Sequence, residues 1–391
     1  MSLHPVQGHR EFRAAVATSR ARGTLPSALL LHGPRGVGKQ RLALWIAQLD
    51  LCEVPGAEGP CGTCRSCKLA LRLEHPDVHW YFPLPRPTGA SSPEKMGEML
   101  EEARFARLGE LRDEPLQAAG AEGPTGIYIA AARSLRKRAQ SRPSMAPRQL
   151  FLIGDAETLV PQEASPEAAN ALLKLLEEPP PDTRFILTSS EPGSLLDTIR
   201  SRTVPLLVKP LQEDEVVSFL QDHGADAEAA TTAARLSGGA IGRALGFLPI
   251  ESKGEPEPGP LEGRRREAFT ILRAALSERP GAGFRAGLDQ KVSGARALLG
   301  LLDALEVWLR DLATVVSGVP ERAVNQDAVP WMTRRTKETG LTPDRVARSL
   351  ARVDEAALHA RGNVNPQLLV VGLVADLRAL LLPTTGVAHG R

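Results

Sequence analysis

The sequence predicts an α/β fold: a parallel sheet with helices on both faces, a smaller helical region behind it, and an all-helical C-terminal part. Three observations carry that expectation. An apolar run, Ala28-Leu29-Leu30-Leu31, feeds a glycine-rich turn, Gly33-Pro34-Arg35-Gly36-Val37-Gly38-Lys39-Gln40. Further short apolar runs (Leu150 to Ile153, Phe185 to Thr188, Val204 to Val208) recur between helical segments, and strands alternating with helices argue for a parallel sheet. Finally, Leu298, Leu299, Leu301, Leu302, Leu305, Leu309 and Leu312 with Trp308, and later Leu368 to Leu382, form broad apolar helix faces of the kind that line a bundle core.

The glycine-rich turn is placed as a phosphate-binding loop. It follows a buried-type strand and precedes Leu42, Trp45, Ile46 and Leu49, spaced i, i+3, i+4, i+7 as on a buried helix face. In that context Gly33, Gly36 and Gly38 let backbone N–H groups and the helix dipole face phosphates, and Lys39 adds a point charge. Position 40 normally carries a Ser or Thr that ligates Mg²⁺; Gln40 is an amide on a longer stem. The second strand ends in Asp155, where phosphate-loop enzymes hold Mg²⁺. In enzymes with an Asp-Glu pair the next residue orients the attacking water, but here it is Ala156. Glu157 lies one step further, and strand alternation predicts that it points elsewhere. Whether the loop still binds ATP or ADP stays open.

At 391 residues, two or three domains are expected. The composition, 24% charged and 42% hydrophobic, is that of a globular protein, and a net charge of +2 selects no class of partner. No apolar stretch reaches the roughly 18 residues a membrane span needs, and Met1-Ser2-Leu3-His4-Pro5 has no signal pattern. A cytoplasmic protein is expected.

The four cysteines, Cys52, Cys61, Cys64 and Cys67, crowd into one short segment with Gly56, Gly59, Pro60 and Gly62. Four thiolates on tight turns suit a closed, tetrahedral, structural Zn²⁺ site with no open position. Two disulfides, which a cytosolic chain disfavours, or free thiols are the rival readings. His75 and His79 follow as possible spare ligands.

Beyond them, Pro83 to Pro93 is rich in Pro, Gly and Ser, Glu94 to Arg112 is an acidic helical segment, and Ala118 to Gly126 is a second loose patch. Residues 83–126 therefore read as an insertion. Arg133, Arg136, Lys137, Arg138, Arg142 and Arg148 then form a basic run that suits either nucleic acid or a solvated helix face. Ser165-Pro166-Glu167 is a helix start that leads to a stop at Pro179-Pro180-Pro181. Residues 251 to 263, with Glu255-Pro256-Glu257-Pro258-Gly259-Pro260, read as a polar linker.

Asn170-Ala171-Leu172-Leu173-Lys174 with Leu176-Glu177-Glu178-Pro179-Pro180, then Thr183, Phe185 and Ser201-Arg202, resembles the bacterial clamp-loader branch of the AAA+ family. The cysteine module, Gly8-His9 and Asn365-Pro366-Gln367-Leu368-Leu369 also fit, so the resemblance runs from about residue 5 to about 383 except the insertion. It implies an AAA+ core over 1–208 with a zinc module at 52–67, a helical lid over 209–250, a linker at 251–264, and a C-terminal helical collar domain over 265–391 through which loader subunits assemble. Arg243 stands where such lids place a phosphate-sensing Arg.

Motor subunits of that family carry a hydroxyl after the loop Lys and an Asp-Glu pair on the second strand. Gln40 and Asp155-Ala156-Glu157 resemble instead a subunit whose own site is degenerate. The resemblance then implies a stator of the DNA polymerase III clamp loader, with no ATP hydrolysis of its own, that helps place the sliding clamp on primed DNA during replication. Its partners would be the gamma/tau and delta subunits, the clamp, and DNA through the complex. Arg202 would be an arginine finger reaching the adjacent ATPase subunit; pairing with a local carboxylate is the plain alternative, and Thr203 replaces the family's usual Cys. A gamma/tau-like ATPase with an unusual site is the competing function.

Overall fold

The structure, a computed structural model, describes residues 3–116, 125–159, 167–252, 255–279, 281–289, 294–360, 362 and 364–382. The expected helix start at Ser165-Pro166 and most of the loose patch before Gly126 lie outside the described residues, as do the side chains of Asn170 and Ala171.

The chain divides into two compact units, Met1–Leu245 and Gly246–Arg391. In the first unit the chain order opens with α1 (Arg10–Ala21), β1 (Ala28–His32), α2 (Lys39–Leu51), α3 (Arg65–Leu71) and β2 (Val78–Tyr81). Residues 83–126 contribute β3 (Leu84–Pro85), α4 (Pro93–Asp113) and β4 (Thr125–Gly126). Then come α5 (Ile129–Ala139), β5 (Gln149–Ile153), α6 (Glu167–Glu177), β6 (Thr183–Ser189), α7 (Asp197–Arg200) and β7 (Val204–Leu207). The lid region holds α8 (Glu213–Asp222), α9 (Ala227–Ser237) and α10 (Ile241–Phe247), the last running across the division between units.

Five strands form a parallel sheet in the order β2-β5-β6-β1-β7. Side chains alternate along a strand, so β1 sends Leu29 and Leu31 into a core shared with Leu42, Ile46 and Leu49 of α2. It sends Ala28 and Leu30 into a second core with Leu135 of α5 and Leu172, Leu175 and Leu176 of α6. Burial on both faces explains why these strands read as unbroken apolar runs.

The segment that holds α4 is tied to this sheet. Ser92 caps α4, its hydroxyl accepting from the Lys95 N–H at 3.2 Å, with Pro93 in the first turn. Leu100, Arg104 and Leu108 are the residues α4 buries. Arg104 bonds Glu101 at 2.7 Å and lies 5.0 Å from the centre of the Tyr81 ring on β2.

On the same strand, His79 is buried with its ring centre 4.9 Å from that of Phe151. Burial, reinforced by the charges of Arg138 and Arg104, pushes its pKa from 6.5 down to about 4. Between those values the unfolded chain carries a proton that the folded chain refuses. Stability is therefore complete above about pH 6.5 and falls as pH drops toward about 4, by up to roughly 3 kcal/mol. Urea unfolding at about pH 7 and about pH 4.5 should show this loss, and His79→Leu should make it shallower, the remainder coming from His4, His9 and His75, whose pKa burial also lowers; an equally steep loss in the variant would remove the assignment.

The second unit opens with a two-stranded antiparallel hairpin, β8 (Ile250–Ser252) and β9 (Glu255–Glu257), and α11 (Pro260–Ala275) follows at once. The predicted linker is thus a hairpin plus the first turn of a helix, which Pro260 starts because its fixed φ suits a first helical position. Next are α12 (Ala282–Leu288), α13 (Gly294–Val316), α14 (Val329–Thr339), α15 (Pro343–Ala360) and α16 (Pro366–Leu381). Leu298, Leu301, Leu302, Leu305, Leu309 and Leu312 of α13 are all buried in one core. Trp308 joins them, its indole N–H donating to the Arg265 carbonyl at 3.0 Å and its ring stacked on Phe269 at 4.4 Å. Leu368, by contrast, is 69% exposed at the start of α16.

Candidate functional site

The glycine-rich loop lies at the carboxyl end of β1, beside the ends of β5 and β6. Its backbone needs glycine. At Gly38, the N-cap of α2, φ is +100°, and at Gly36 φ is +79°. A Cβ on Gly33 would lie 2.2 Å from the Val208 carbonyl oxygen, so only hydrogen fits between loop and sheet.

Lys39 is buried and curls back onto the loop. Its ammonium donates to the carbonyls of Gly33 at 2.9 Å and Pro34 at 2.8 Å, and to Ser190 Oγ at 2.9 Å. Burial pushes its pKa down, against the opposing pull of Asp155 and Glu157. Gln40 and Asp155 come together: the Gln40 amide donates from Nε2 to Asp155 Oδ2 at 3.2 Å. The two positions expected to handle Mg²⁺ therefore bond each other directly. Asp155 is held in turn by its own N–H, which donates to Thr188 Oγ1 at 3.1 Å.

Glu157 corrects the expectation from strand alternation. The strand ends at Ile153, Asp155 turns with φ +48°, and Ala156–Leu159 form a 3-10 turn. That turn swings Glu157 back toward the loop, where Oε1 accepts from the Ser190 N–H at 3.1 Å and Oε2 is buried without a hydrogen-bond partner. Ser190 links Glu157 to Lys39 through its N–H and its hydroxyl, a connection that nothing in the sequence pattern marked. Ala156 is fully buried against the second sheet face.

The lid packs on the same loop. The Gly242 N–H at the start of α10 donates to the Gly36 carbonyl at 2.8 Å, and a Cβ on Gly36 would lie 2.9 Å from the Arg243 backbone nitrogen.

Arg202 follows α7 with about a third of its side chain exposed. It forms an ion pair with Glu177 at the end of α6 and donates to the Thr198 carbonyl at 2.9 Å and Ser201 Oγ at 3.3 Å. It does not meet the loop residues of its own chain through any of these bonds.

The four cysteines converge. The Sγ atoms of Cys52, Cys61, Cys64 and Cys67 all lie within 4.8 Å of one another, and no disulfide joins them. His75 and His79 are not in that group; His75 Nδ1 instead accepts from the Asp77 N–H at 3.1 Å. Backbone N–H groups point at three sulfurs: Cys61 N to Cys52 Sγ and Cys64 N to Cys61 Sγ at 3.3 Å each, and Cys67 N to Cys64 Sγ at 3.4 Å. The donors at Cys64 and Thr63 pull the Cys61 thiol down to about 6, whereas burial pushes Cys52 and Cys67 up. The donor set fits a tetrahedral metal such as Zn²⁺.

The basic run separates into two groups. Arg138 lies 3.7 Å from Glu101 and Arg148 lies 3.4 Å from Asp50. Arg133, Arg136, Lys137 and Arg142 are exposed. The loop after α5 is fixed by Asp77, whose carboxylate accepts the N–H groups of Ser144, Met145 and Ala146 at 2.5, 2.8 and 2.8 Å.

A family model described as "DNA polymerase III, delta subunit" matches residues 8–212, more than half of the chain. The DNA polymerase III subunit delta' of Bacillus subtilis is 27% identical over 358 residues, covering 90% of this chain and 91% of that relative. The subunit of the same name from Pseudomonas aeruginosa is 36% identical over 178 residues, 45% of this chain and 41% of the relative. In Escherichia coli the figures are 30% over 239 residues, 61% and 59%. The match thus spans less than two thirds of the Pseudomonas and Escherichia relatives and nearly all of the Bacillus one. These matches share one subunit name, and the chain, with its five-stranded parallel sheet and four-cysteine cluster, belongs to the DNA polymerase III delta-prime family of clamp-loader subunits.

Proposed function

We propose that this chain is the stator of its clamp loader: a subunit without ATP turnover of its own that completes the ATP site of its neighbour. The observation that carries the reading is the bond between the Gln40 amide and Asp155. A phosphate-loop ATPase holds Mg²⁺ with a loop hydroxyl and a strand-end Asp; here the first is absent, and the second is engaged by an amide N–H. Ala156 also withdraws the water-orienting carboxylate from its usual position. The loop in this reading is a degenerate nucleotide site, and Arg202 is the group that acts, as an arginine finger in trans.

The remaining parts follow. Cys52, Cys61, Cys64 and Cys67 hold one structural Zn²⁺, which supplies no catalysis and fixes the module. The C-terminal helical unit joins the collar with the gamma/tau and delta subunits. The exposed cations Arg133, Arg136, Lys137 and Arg142 face primed DNA within the complex, as the sliding clamp is loaded in the cytoplasm. Among the described residues no helix is long and apolar enough to cross a membrane.

A gamma/tau-like ATPase is the second reading, and Glu157 is the observation in its favour, since its carboxylate reaches the loop through Ser190. An ATPase assay on the isolated, zinc-loaded chain separates the two. No turnover is expected, while the same chain restores clamp loading to a loader lacking this subunit. Turnover abolished by Lys39→Ala would overturn the stator reading, and its further loss in Glu157→Gln would establish the second.

A further inference from the structure

Burial divides the four cysteines. Cys52 and Cys67 are 4% and 0% exposed, whereas Cys61 and Cys64 are only half-buried. Cys64 caps α3, its sulfur accepting the Cys67 N–H at 3.4 Å, so the helix start holds it in place. Cys61 stands outside any helix or strand, between Pro60 and Gly62, and a Cβ on Gly62 would meet nothing within 4 Å. Of the two accessible sulfurs, Cys61 is therefore the one that the chain leaves freer to move. Cys67 Sγ lies 3.9 Å from it.

Cysteine oxidation follows thiolate character and access, and it is reversible where a second thiol stands near enough to resolve it. A metal holds its cysteines as thiolates, so access and proximity decide which of the four reacts. The consequence reaches past the module. A closed four-thiolate site has no spare ligand, and His75 and His79 stand outside the group. Joining two of the four sulfurs leaves too few to keep the ion. The module's turn at Gly59 is pressed onto Trp45, where a Cβ would lie 2.7 Å from Cζ2. Trp45 is 6% exposed and belongs to α2, the helix that starts at Lys39.

We propose that Cys61 is a site of modification by peroxide: Cys67 resolves the oxidised sulfur, and the disulfide empties the metal site and uncovers Trp45. The proposal rests on the module holding a metal, as stated above. The Cys61 thiolate attacks one oxygen of hydrogen peroxide; the S–O bond forms as the O–O bond breaks, and hydroxide departs from the new sulfenic acid. The Cys67 thiolate then attacks that sulfur; the S–S bond forms, the S–O bond breaks, and a second hydroxide leaves. Both hydroxides take protons from the buffer. The two sulfurs lose the two electrons that peroxide gains.

Treating the full-length, zinc-loaded chain with hydrogen peroxide tests it. A chromogenic chelator reads zinc release, peptide mass mapping reads disulfides, and tryptophan fluorescence reads Trp45; the zinc content of the reduced chain is measured first. Bound zinc should fall from about one per chain to near zero. A Cys61–Cys67 disulfide should appear in step with that loss, and emission should shift to longer wavelength. Trp45→Phe should remove the shift and keep the release, and a thiol reductant with added Zn²⁺ should restore the starting state. Zinc retained under peroxide, a first disulfide between other cysteines, a shift that is absent or survives Trp45→Phe, or irreversible loss would each overturn the proposal. A reduced chain without zinc would instead remove the metal reading, and this proposal with it. The disulfide map needs no substituted chain, so it decides the matter even where Trp45→Phe fails to fold.

Discussion

Replacing Arg202 with alanine is expected to lower turnover at the neighbouring subunit's ATP site by about 10³-fold or more, with the complex still assembled. A guanidinium aimed at a transferring phosphoryl group stabilises charge that develops only in the transition state, so its loss appears in kcat more than in nucleotide affinity. The ion pair with Glu177 is no obstacle to such a role. Both partners are partly exposed, at 32% and 44%, and pairs of that kind contribute about 0–1 kcal/mol. Glu177→Gln is the informative companion, since it frees the guanidinium without removing it and should leave turnover near the unsubstituted level. ATPase assays on the reconstituted loader read both variants. An Arg202→Ala complex with unchanged turnover ends the finger assignment.

The second large effect concerns the cysteine module. Cys64→Ser, or chelation, should lower zinc content from about one per chain to near zero and unfold the segment from Cys52 to Leu71. Structural zinc binding contributes on the order of 10 kcal/mol in small zinc domains, and α3 itself buries only Ser66, Cys67 and Ala70. The second unit has its own core around Leu305 and Trp308, so its resistance to protease should persist. Metal analysis with limited proteolysis reads the outcome. A metal-free chain with an unchanged digestion pattern would refute a structural zinc.

Much of the architecture was legible because its signals are local. Leu42, Trp45, Ile46 and Leu49 follow helical spacing and are all buried, and the apolar runs at Leu29 to Leu31 and Phe151 to Ile153 are strands covered on both faces. The four cysteines were equally readable, since tight turns bring close-spaced thiols together. Gln40 and Asp155 were each marked by motif position, and their separation by more than a hundred residues hid only the direct bond between them.

Glu157 was misplaced for a definite reason. The strand ends at Ile153, so alternation sets the direction of neither Asp155 nor Glu157; the left-handed turn at Asp155 and the 3-10 turn from Ala156 do. The hairpin at Ile250 to Glu257 was hidden because Pro and Glu read as linker, while a two-stranded pair needs few apolar residues.

The hydrogen bond from Gly242 to Gly36 has a mechanical consequence. With no side chain on either glycine, α10 sits backbone to backbone on the turn that leaves β1, and there is no slack between them to take up. A push on this helix is therefore delivered to the strand and through it to the middle of the sheet. Within Met1–Leu245, motion of α10 against the loop therefore requires that this backbone bond be broken.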